Sequence, residues 1–558
     1  MISDKRTVQD LISLLVAKDV HHAVVCPGSR NAPFSISLHK HEVIRAYNIV
    51  DERSAAFFAL GMAQQLQKPV AIICTSGTAA LNFSPAIAEA FYQRVPLLVI
   101  TADRPVEWID QGEGQSIRQR NVYQNFVKAS YEVMEETAHT DSAWHNVRIM
   151  DEAIGLCTAG VAGPVHINFP LRESLYGTAE KAENKVKVVE RVKAPSALPK
   201  TIVLQLKSQL SEAKKILILA GQLLPDAMLN KALKQWSGLP QAVVMTEAHS
   251  NMADEKFITT IDRLVMKFND DQKKFLVPDV LITVGHNIIS RRIKEYLRNA
   301  ECEHWHIDVS GEGLDTLKHL NKIIATEPRH FFEEVLPAGN KQSDYSKTML
   351  AWNELKGEKA NEFLATCPWS DLKAFEIIYS AIPEGHHLQM GNSSVVRYVL
   401  LFNARKNLRH FGNRGVAGID GCTSTAIGAT YASQKPTTLV TGDLGFFYDS
   451  NAFWNDYVSQ HLRVIVINNG GGGIFRIIDG PGTTEALEDF FETKHMRSAE
   501  KMAEMYGLQY FCAIDQDSLE EGLTWLYANE FCSVLEVFTP RLENDKVLRA
   551  YFNNEVAN

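Results

Sequence analysis

Short, near-continuous apolar runs recur along the chain, separated by helix-length segments. Runs of this kind are how parallel strands buried on both faces read. One group is Ala23–Cys26, Val70–Cys74, Pro96–Thr101 and Gly163–Pro170. A second is Lys215–Gly221, Ala242–Met245, Asp279–Gly285 and His304–Asp308, and a third is Leu439–Val440, Val464–Ile467 and Ser533–Phe538. Between them, Val8, Leu11, Ile12, Leu14 and Leu15 give a first helix its apolar side, with Ser3 and Asp4 as candidate caps. Ser54–Gln65 is a small-residue helix, and Ala79–Arg94 is expected as one helix. Strands alternating with helices at these lengths predict the α/β class, with doubly wound parallel sheets. Three such domains are expected, 1–183, 184–345 and 346–558. The first linker is charged and carries two prolines, over 180–200, and the second lies at 336–347. The first and last domains share a plan without a clear sequence repeat.

Composition narrows the class. At 558 residues the chain exceeds one ordinary core, and 45% hydrophobic with 22% charged residues is globular. A net charge of −9 argues against general nucleic-acid binding, which needs a basic face, while leaving room for a local basic pocket. The eight cysteines form no C-x-x-C and no zinc spacing, which suits a reducing compartment. The start, MISDKRTVQDL, lacks the plan of a signal peptide, and no apolar run approaches transmembrane length. The expectation is a soluble cytoplasmic protein with no membrane span.

Candidate chemistry concentrates at Thr437–Phe475. There Gly442-Asp443 and Asn468-Asn469, the latter followed by four glycines, end two apolar runs. Open α/β sheets bind ligands outside the carboxyl ends of their strands. Asp443 offers a hard anionic oxygen, Asn469 a neutral carbonyl oxygen, and Gly471 a backbone carbonyl. With two phosphate oxygens this set suits octahedral Mg²⁺, or Mn²⁺, that keeps a water. Elsewhere Ser29 and Arg30 follow a strand, Glu52 stands at a strand-to-helix junction, and Thr75-Ser76-Gly77-Thr78 forms a turn. Arg291-Arg292 follows the run ending at Gly285, where a solvated face is the competing explanation. The middle region carries no G-x-G-x-x-G, which argues against NAD.

Gly-Asp followed by Asn-Asn resembles the diphosphate and Mg²⁺ motif of thiamine diphosphate enzymes, with Leu444 where Gly is usual. Glu52, the small-residue helix, the T-S-G turn and Asn82 resemble their pyrimidine-binding domain. That resemblance implies that Glu52 contacts N1′ of the cofactor's aminopyrimidine from a dry site and favours the imino tautomer, which removes the C2 proton. A further set covers nearly the whole chain: P-G-S-R at 27–30, D-E-R-S-A at 51–55, T-A-D-R-P at 101–105, G-x-G-Q-S-I-R-Q at 112–119, G-N-S-S-V-V-R at 391–397, N-R-G-x-x-G-I-D-G at 413–421 and G-D-L at 442–444. It resembles the 2-succinyl-5-enolpyruvyl-6-hydroxy-3-cyclohexene-1-carboxylate synthase family of menaquinone biosynthesis. The resemblance implies decarboxylation of 2-oxoglutarate and 1,4-addition to isochorismate, both dicarboxylates, for which arginine forks are suited.

The same resemblance implies Ser29, Arg104, Gln115, Arg292 and Arg397 around isochorismate, with Arg30 and Arg291 in or beside matched motifs. It places Ser393 and Arg414 near the succinyl carboxylate or its carbanion, and makes Glu52, Arg397 and Arg414 the catalytic set. Ser393, Asp443, Asn469 and Gly471 hold the cofactor and its metal, Ile419 buttresses the cofactor's bent shape, and Phe475 covers part of the site. Gly114 departs from members with Asn there, and Arg291 from those with Lys. The family's assembly implies a homodimer or a dimer of dimers, with Glu52 and Asp443 acting from different chains. A 2-oxoacid decarboxylase or acetohydroxyacid synthase is the alternative, disfavoured by the arginines because pyruvate carries one carboxylate. A non-catalytic binding protein is disfavoured by Glu52, Asp443 and Asn469.

Overall fold

The structure, a computed structural model, describes residues 1–135, 139–180, 185–192, 197–340, 342–478 and 480–553. Parts of both expected linkers, 181–184, 193–196 and 341, lie outside the described residues. A short ribbon, β1 (Ile2–Ser3), is completed antiparallel by Thr178–Ala179 and ties the start of the first unit to its end. The first sheet then takes β2 (His22–Val25), β3 (Arg45–Asn48), β4 (Val70–Cys74), β5 (Leu97–Asp103), β6 (Ser130–Glu132) and β7 (Val165–Pro170). With the ribbon's second strand as β8 (Thr178–Ala179), the middle sheet holds β9 (Ile216–Ala220), β10 (Ala242–Thr246), β11 (Phe257–Ile258), β12 (Val280–Val284), β13 (Glu303–Ile307) and β14 (Leu320–Ile324). The last holds β15 (His387–Met390), β16 (Arg409–Phe411), β17 (Thr437–Gly442), β18 (Leu462–Asn468), β19 (Gln509–Ala513) and β20 (Ser533–Phe538).

All three sheets are parallel, as the apolar runs predict. β4, β9, β10 and β12 are buried along their whole length, which is why they read as near-continuous apolar stretches. The first sheet runs β3-β2-β4-β5-β7-β6 and the last β16-β15-β17-β18-β20-β19, the same order of strands. The middle sheet runs β11-β10-β9-β12-β13-β14. Strand order therefore reverses between β2 and β4, between β9 and β12, and between β15 and β17, and ligand crevices open at such switch points. The segments after these strands carry Ser29-Arg30, Arg291-Arg292, Ser393 and Asp443.

The first and last sheets share one core. Val24, Ile72 and Val99 pack through the helices Glu52–Leu66 and Cys422–Ser433 toward Leu439, Val464 and Val534. The two helices cross at glycines: a Cβ on Gly61 would lie 2.0 Å from the Thr425 carbonyl oxygen, and one on Gly428 would lie 2.0 Å from that of Phe58. The helix Tyr345–Thr366 bridges two cores, with Tyr345 and Met349 in that of the middle sheet and Ala360 and Leu364 in that of the last. Among the described residues, no helix is long and apolar enough to cross a membrane.

Two local expectations are corrected. Ser3 lies in β1, and Lys5, not Ser3 or Asp4, caps the first helix, with no side-chain cap bond; the Ser3 hydroxyl instead accepts from the Lys5 N–H at 3.2 Å. The expected helix over 79–94 is two, Thr78–Asn82 and Ser84–Gln93, because Pro85 lacks the N–H that would continue the first.

Candidate active site

Asp443 opens a helical turn directly after β17, and Asn469 follows β18. One Asp443 oxygen accepts from the Leu444 N–H at 2.6 Å and the other from the Gly471 N–H at 2.9 Å. Gly470 and Gly471 have φ of 77° and 150°, so the chain can turn its amide toward that carboxylate only with glycine there. The Asn469 amide is oriented from behind: its Nδ2 donates at 3.0 Å to Asp371, which is 1% exposed. Burial pushes the Asp371 carboxyl up to about 6. Asn469 Oδ1 is thereby left buried with no hydrogen-bond partner. An orphaned carbonyl oxygen beside a carboxylate is costly unless something binds it, and a divalent cation fits that donor set. These residues line a cavity of about 180 Å³ together with Ser393, Ile419, Gly442 and Phe475. Six expected cofactor residues, Ser393, Ile419, Asp443, Asn469, Gly471 and Phe475, thus meet in one place.

A second cavity of about 350 Å³ adjoins the first through Ser394 and Ile474, and it is lined by Arg291, Arg292 and Arg397. Arg292 stacks over the Phe552 ring at 4.5 Å, and Arg397 donates to the Ser393 carbonyl. Arg291 pairs with Glu295 at 2.8 Å at the exposed rim of this cavity. Ser290 caps their helix, Arg291–Arg298. The segment before it is fixed by Glu247, whose two carboxylate oxygens accept from the Ile289 and Ser290 N–H groups at 2.7 Å each. Burial pushes Glu247 up to about 7. Arg414 is buried, donating to Asn392 at 2.8 Å, while its Nε has no partner. Burial, then the charge of Arg397, pulls the Arg414 guanidinium below its usual range.

The remaining expected residues gather at the carboxyl edge of the first sheet. Arg30 donates to the Leu171 carbonyl at 2.8 Å and meets Glu173 at 3.0 Å. Burial, then neighbouring Arg104, lowers its pKa. Arg104 donates to the Gly114 carbonyl at 2.9 Å, so the contact made beside Gln115 uses backbone that no side chain at 114 is needed for. Ser29 and Gln115 are exposed. Glu52 is half-buried, and Asn82 donates to it at 3.5 Å. Neither Glu52 nor this arginine pair lines the cavities around Asp443 and Arg397. One chain therefore holds two half-sets.

Sequence reasoning passed over Asp371, Glu247, Asp262 and His495. His495 Nε2 lies 3.3 Å from Asp443, and Asp262 takes the Ser290 hydroxyl proton. None belongs to a motif, and each acts on a loop distant in sequence.

Comparison with known proteins gives the class. Residues 5–125 match the family described as thiamine pyrophosphate enzyme, N-terminal TPP binding domain, and residues 194–390 match the middle domain of thiamine pyrophosphate enzymes. The chain is 43% identical over 548 residues to 2-succinyl-5-enolpyruvyl-6-hydroxy-3-cyclohexene-1-carboxylate synthase of Flavobacterium psychrophilum, covering 98% of each chain. Identity is 41% to the synthase of that name from Flavobacterium johnsoniae, again over 98% of each. It is 40% to that of Porphyromonas gingivalis, over 99% of this chain and 97% of the other. The chain belongs to the 2-succinyl-5-enolpyruvyl-6-hydroxy-3-cyclohexene-1-carboxylate synthase family of thiamine pyrophosphate enzymes.

Proposed function

We propose that the chain decarboxylates 2-oxoglutarate and adds the remaining succinyl fragment, in 1,4 fashion, to isochorismate. The product is 2-succinyl-5-enolpyruvyl-6-hydroxy-3-cyclohexene-1-carboxylate, made for menaquinone in the cytoplasm with thiamine diphosphate and Mg²⁺, or Mn²⁺. The observation that carries this reading is the unpartnered Asn469 Oδ1 beside Asp443, next to a cavity walled by Arg292 and Arg397. Bound thiamine diphosphate supplies a carbon able to hold negative charge when CO₂ leaves.

The chain's own groups do the rest. Asp443, Asn469 Oδ1 and the Gly471 carbonyl hold the metal, while Ile419 and Phe475 flank the cofactor. Arg414 and Ser393 take the succinyl carboxylate, and buried guanidinium groups are suited to that because they stay charged. Arg291, Arg292 and Arg397 face isochorismate from one side. Ser29, Arg30, Arg104 and Gln115 face it from the other and come from a second copy of the chain, as does Glu52, which shares a proton with the aminopyrimidine. Support for two copies lies in the separation of the two half-sets within one chain. The active species is then a homodimer or a dimer of dimers, with 1–183 serving the pyrimidine, 346–558 the diphosphate, and 184–345 between them.

Turnover is to be measured with Mg²⁺, thiamine diphosphate, 2-oxoglutarate and isochorismate, reading product by mass. Consumption of pyruvate with 2-oxoglutarate ignored would overturn the reading in favour of a pyruvate-using relative.

A further inference from the structure

The loop that carries Arg414 is gripped from another unit of its own chain. Glu89 lies on the helix Ser84–Gln93, over the first sheet, and is 2% exposed. One of its carboxylate oxygens accepts from the Gly415 N–H at 2.6 Å and the other from the Val416 N–H at 2.7 Å. Gln93 donates at 3.1 Å to Glu89 and at 2.6 Å to the Gly412 carbonyl, and Gln64 donates to Gln93 at 3.0 Å. The approach is close enough to require glycine: a Cβ on Gly415 would lie 2.6 Å from the Glu89 carbonyl oxygen. On the inner side Asn392 donates to the Asn413 and Gly418 carbonyls at 2.7 and 2.6 Å and accepts from Arg414.

We propose that Glu89 is a positioning residue for the reaction, fixing the loop Gly412–Gly418 and with it the direction of the Arg414 guanidinium. Two adjacent backbone N–H groups match the two oxygens of one carboxylate. A carboxamide offers one acceptor and sets its NH₂ against the other N–H, so neither the charge nor the shape is replaced by Gln. Burial pushes the Glu89 pKa up, and the N–H groups of Val416, Gly415 and Ala417 pull it back. The first unit then serves two sites, that of the partner copy through Glu52 and that of its own chain through Glu89.

The inference rests on the role given above to Arg414. Glu89→Gln is expected to lower kcat/KM for 2-oxoglutarate by about 10- to 100-fold, the value of one hydrogen bond to a charged group. The KM for isochorismate should stay within about twofold, because the arginines assigned to it sit outside the loop Gly412–Gly418. In a double-mutant cycle, Glu89→Gln added to Arg414→Ala should cost little more than Arg414→Ala alone. A support that is merely structural would give additive losses and move both substrates, and that result would overturn the proposal. If Glu89→Gln does not fold, Gln93→Ala removes the companion bond to Gly412 and the one to Glu89 while leaving the carboxylate and its two backbone N–H partners in place. It should show a several-fold loss confined to 2-oxoglutarate, and equal loss for both substrates, or none, overturns the proposal. Failure of the wild-type protein to turn over 2-oxoglutarate would instead count against the functional reading.

Discussion

Truncation of Asp371 tests the metal anchor most directly, because its side-chain hydrogen bond to the proposed metal ligands is the one to Asn469. Its one oxygen takes the Asn469 Nδ2 proton at 3.0 Å and the other takes the Thr539 hydroxyl proton at 2.5 Å. Thr539 Oγ1 itself accepts from Asn544 Nδ2 at 3.2 Å, so its own proton must go to Asp371. In Asp371→Ala the Asn469 amide loses the acceptor that holds its Nδ2, so Oδ1 is no longer pre-aimed at the metal position. A hydrogen bond to a charged group contributes about 1.5–3 kcal/mol, so Mg²⁺-dependent cofactor affinity should fall about 10- to 100-fold. Asp371→Asn keeps one neutral acceptor and should fall by an intermediate amount, about 5- to 30-fold. Calorimetric titration of thiamine diphosphate at several Mg²⁺ concentrations, with circular dichroism as the check on folding, reads both. An undiminished affinity in the alanine variant, or no ordering between the two, would refute the argument that Asp371 aims Asn469.

Other outcomes follow from the same geometry. Glu52→Gln should keep cofactor affinity yet lose most exchange of the cofactor's C2 proton by NMR; unchanged exchange removes Glu52 from that role. Gly428→Ala drives a methyl into the Phe58 carbonyl and should destabilise by about 1–3 kcal/mol; an unchanged melting temperature would mean that the two helices can separate freely. Burial pushes His166 down to about 3, and its ring nitrogens meet the Thr101 and Ser130 hydroxyls at 2.8 and 2.9 Å. The folded pKa lies below the unfolded value of about 6.5, so this stability is complete above that pH and is lost as pH falls below it. The melting temperature should therefore drop between pH 7 and pH 5, and His166→Gln should flatten that dependence; an unaltered slope would contradict it.

The strands buried on both faces were legible in the sequence because no charged residue interrupts β4, β9, β10 or β12. Edge strands were not. β6 and β14 mix polar and apolar residues over half-exposed positions, and the short β16 begins with an exposed arginine. Asp443, Asn469 and the arginines could be found because they sit in local motifs at strand ends. Asp371, Glu247 and Glu89 could not. Asp371 acts 98 residues along the chain and Glu89 acts 326, through backbone amides or a neighbour's carboxamide that leave no residue-type signal. The shared strand order of the first and last sheets was equally hidden, since fold symmetry needs only the same alternation of buried and exposed positions.

Arg291 and Arg292 occupy the first turn of the helix Arg291–Arg298, and that turn holds no acidic residue. The aligned peptide dipoles place positive potential at this end, where a cation costs about 0.3–1 kcal/mol and an anion gains as much. Glu295 pairs with Arg291, Glu247 accepts from the Ser290 N–H and Asp262 from its hydroxyl, so part of this potential is already offset, and a dicarboxylate seated there meets what remains of it together with Arg292 and Arg397. Simple dicarboxylates should raise the melting temperature more than their monocarboxylate counterparts, and added salt should erase the difference. Occupancy of the corner can thus be followed by heat alone, with neither cofactor nor turnover.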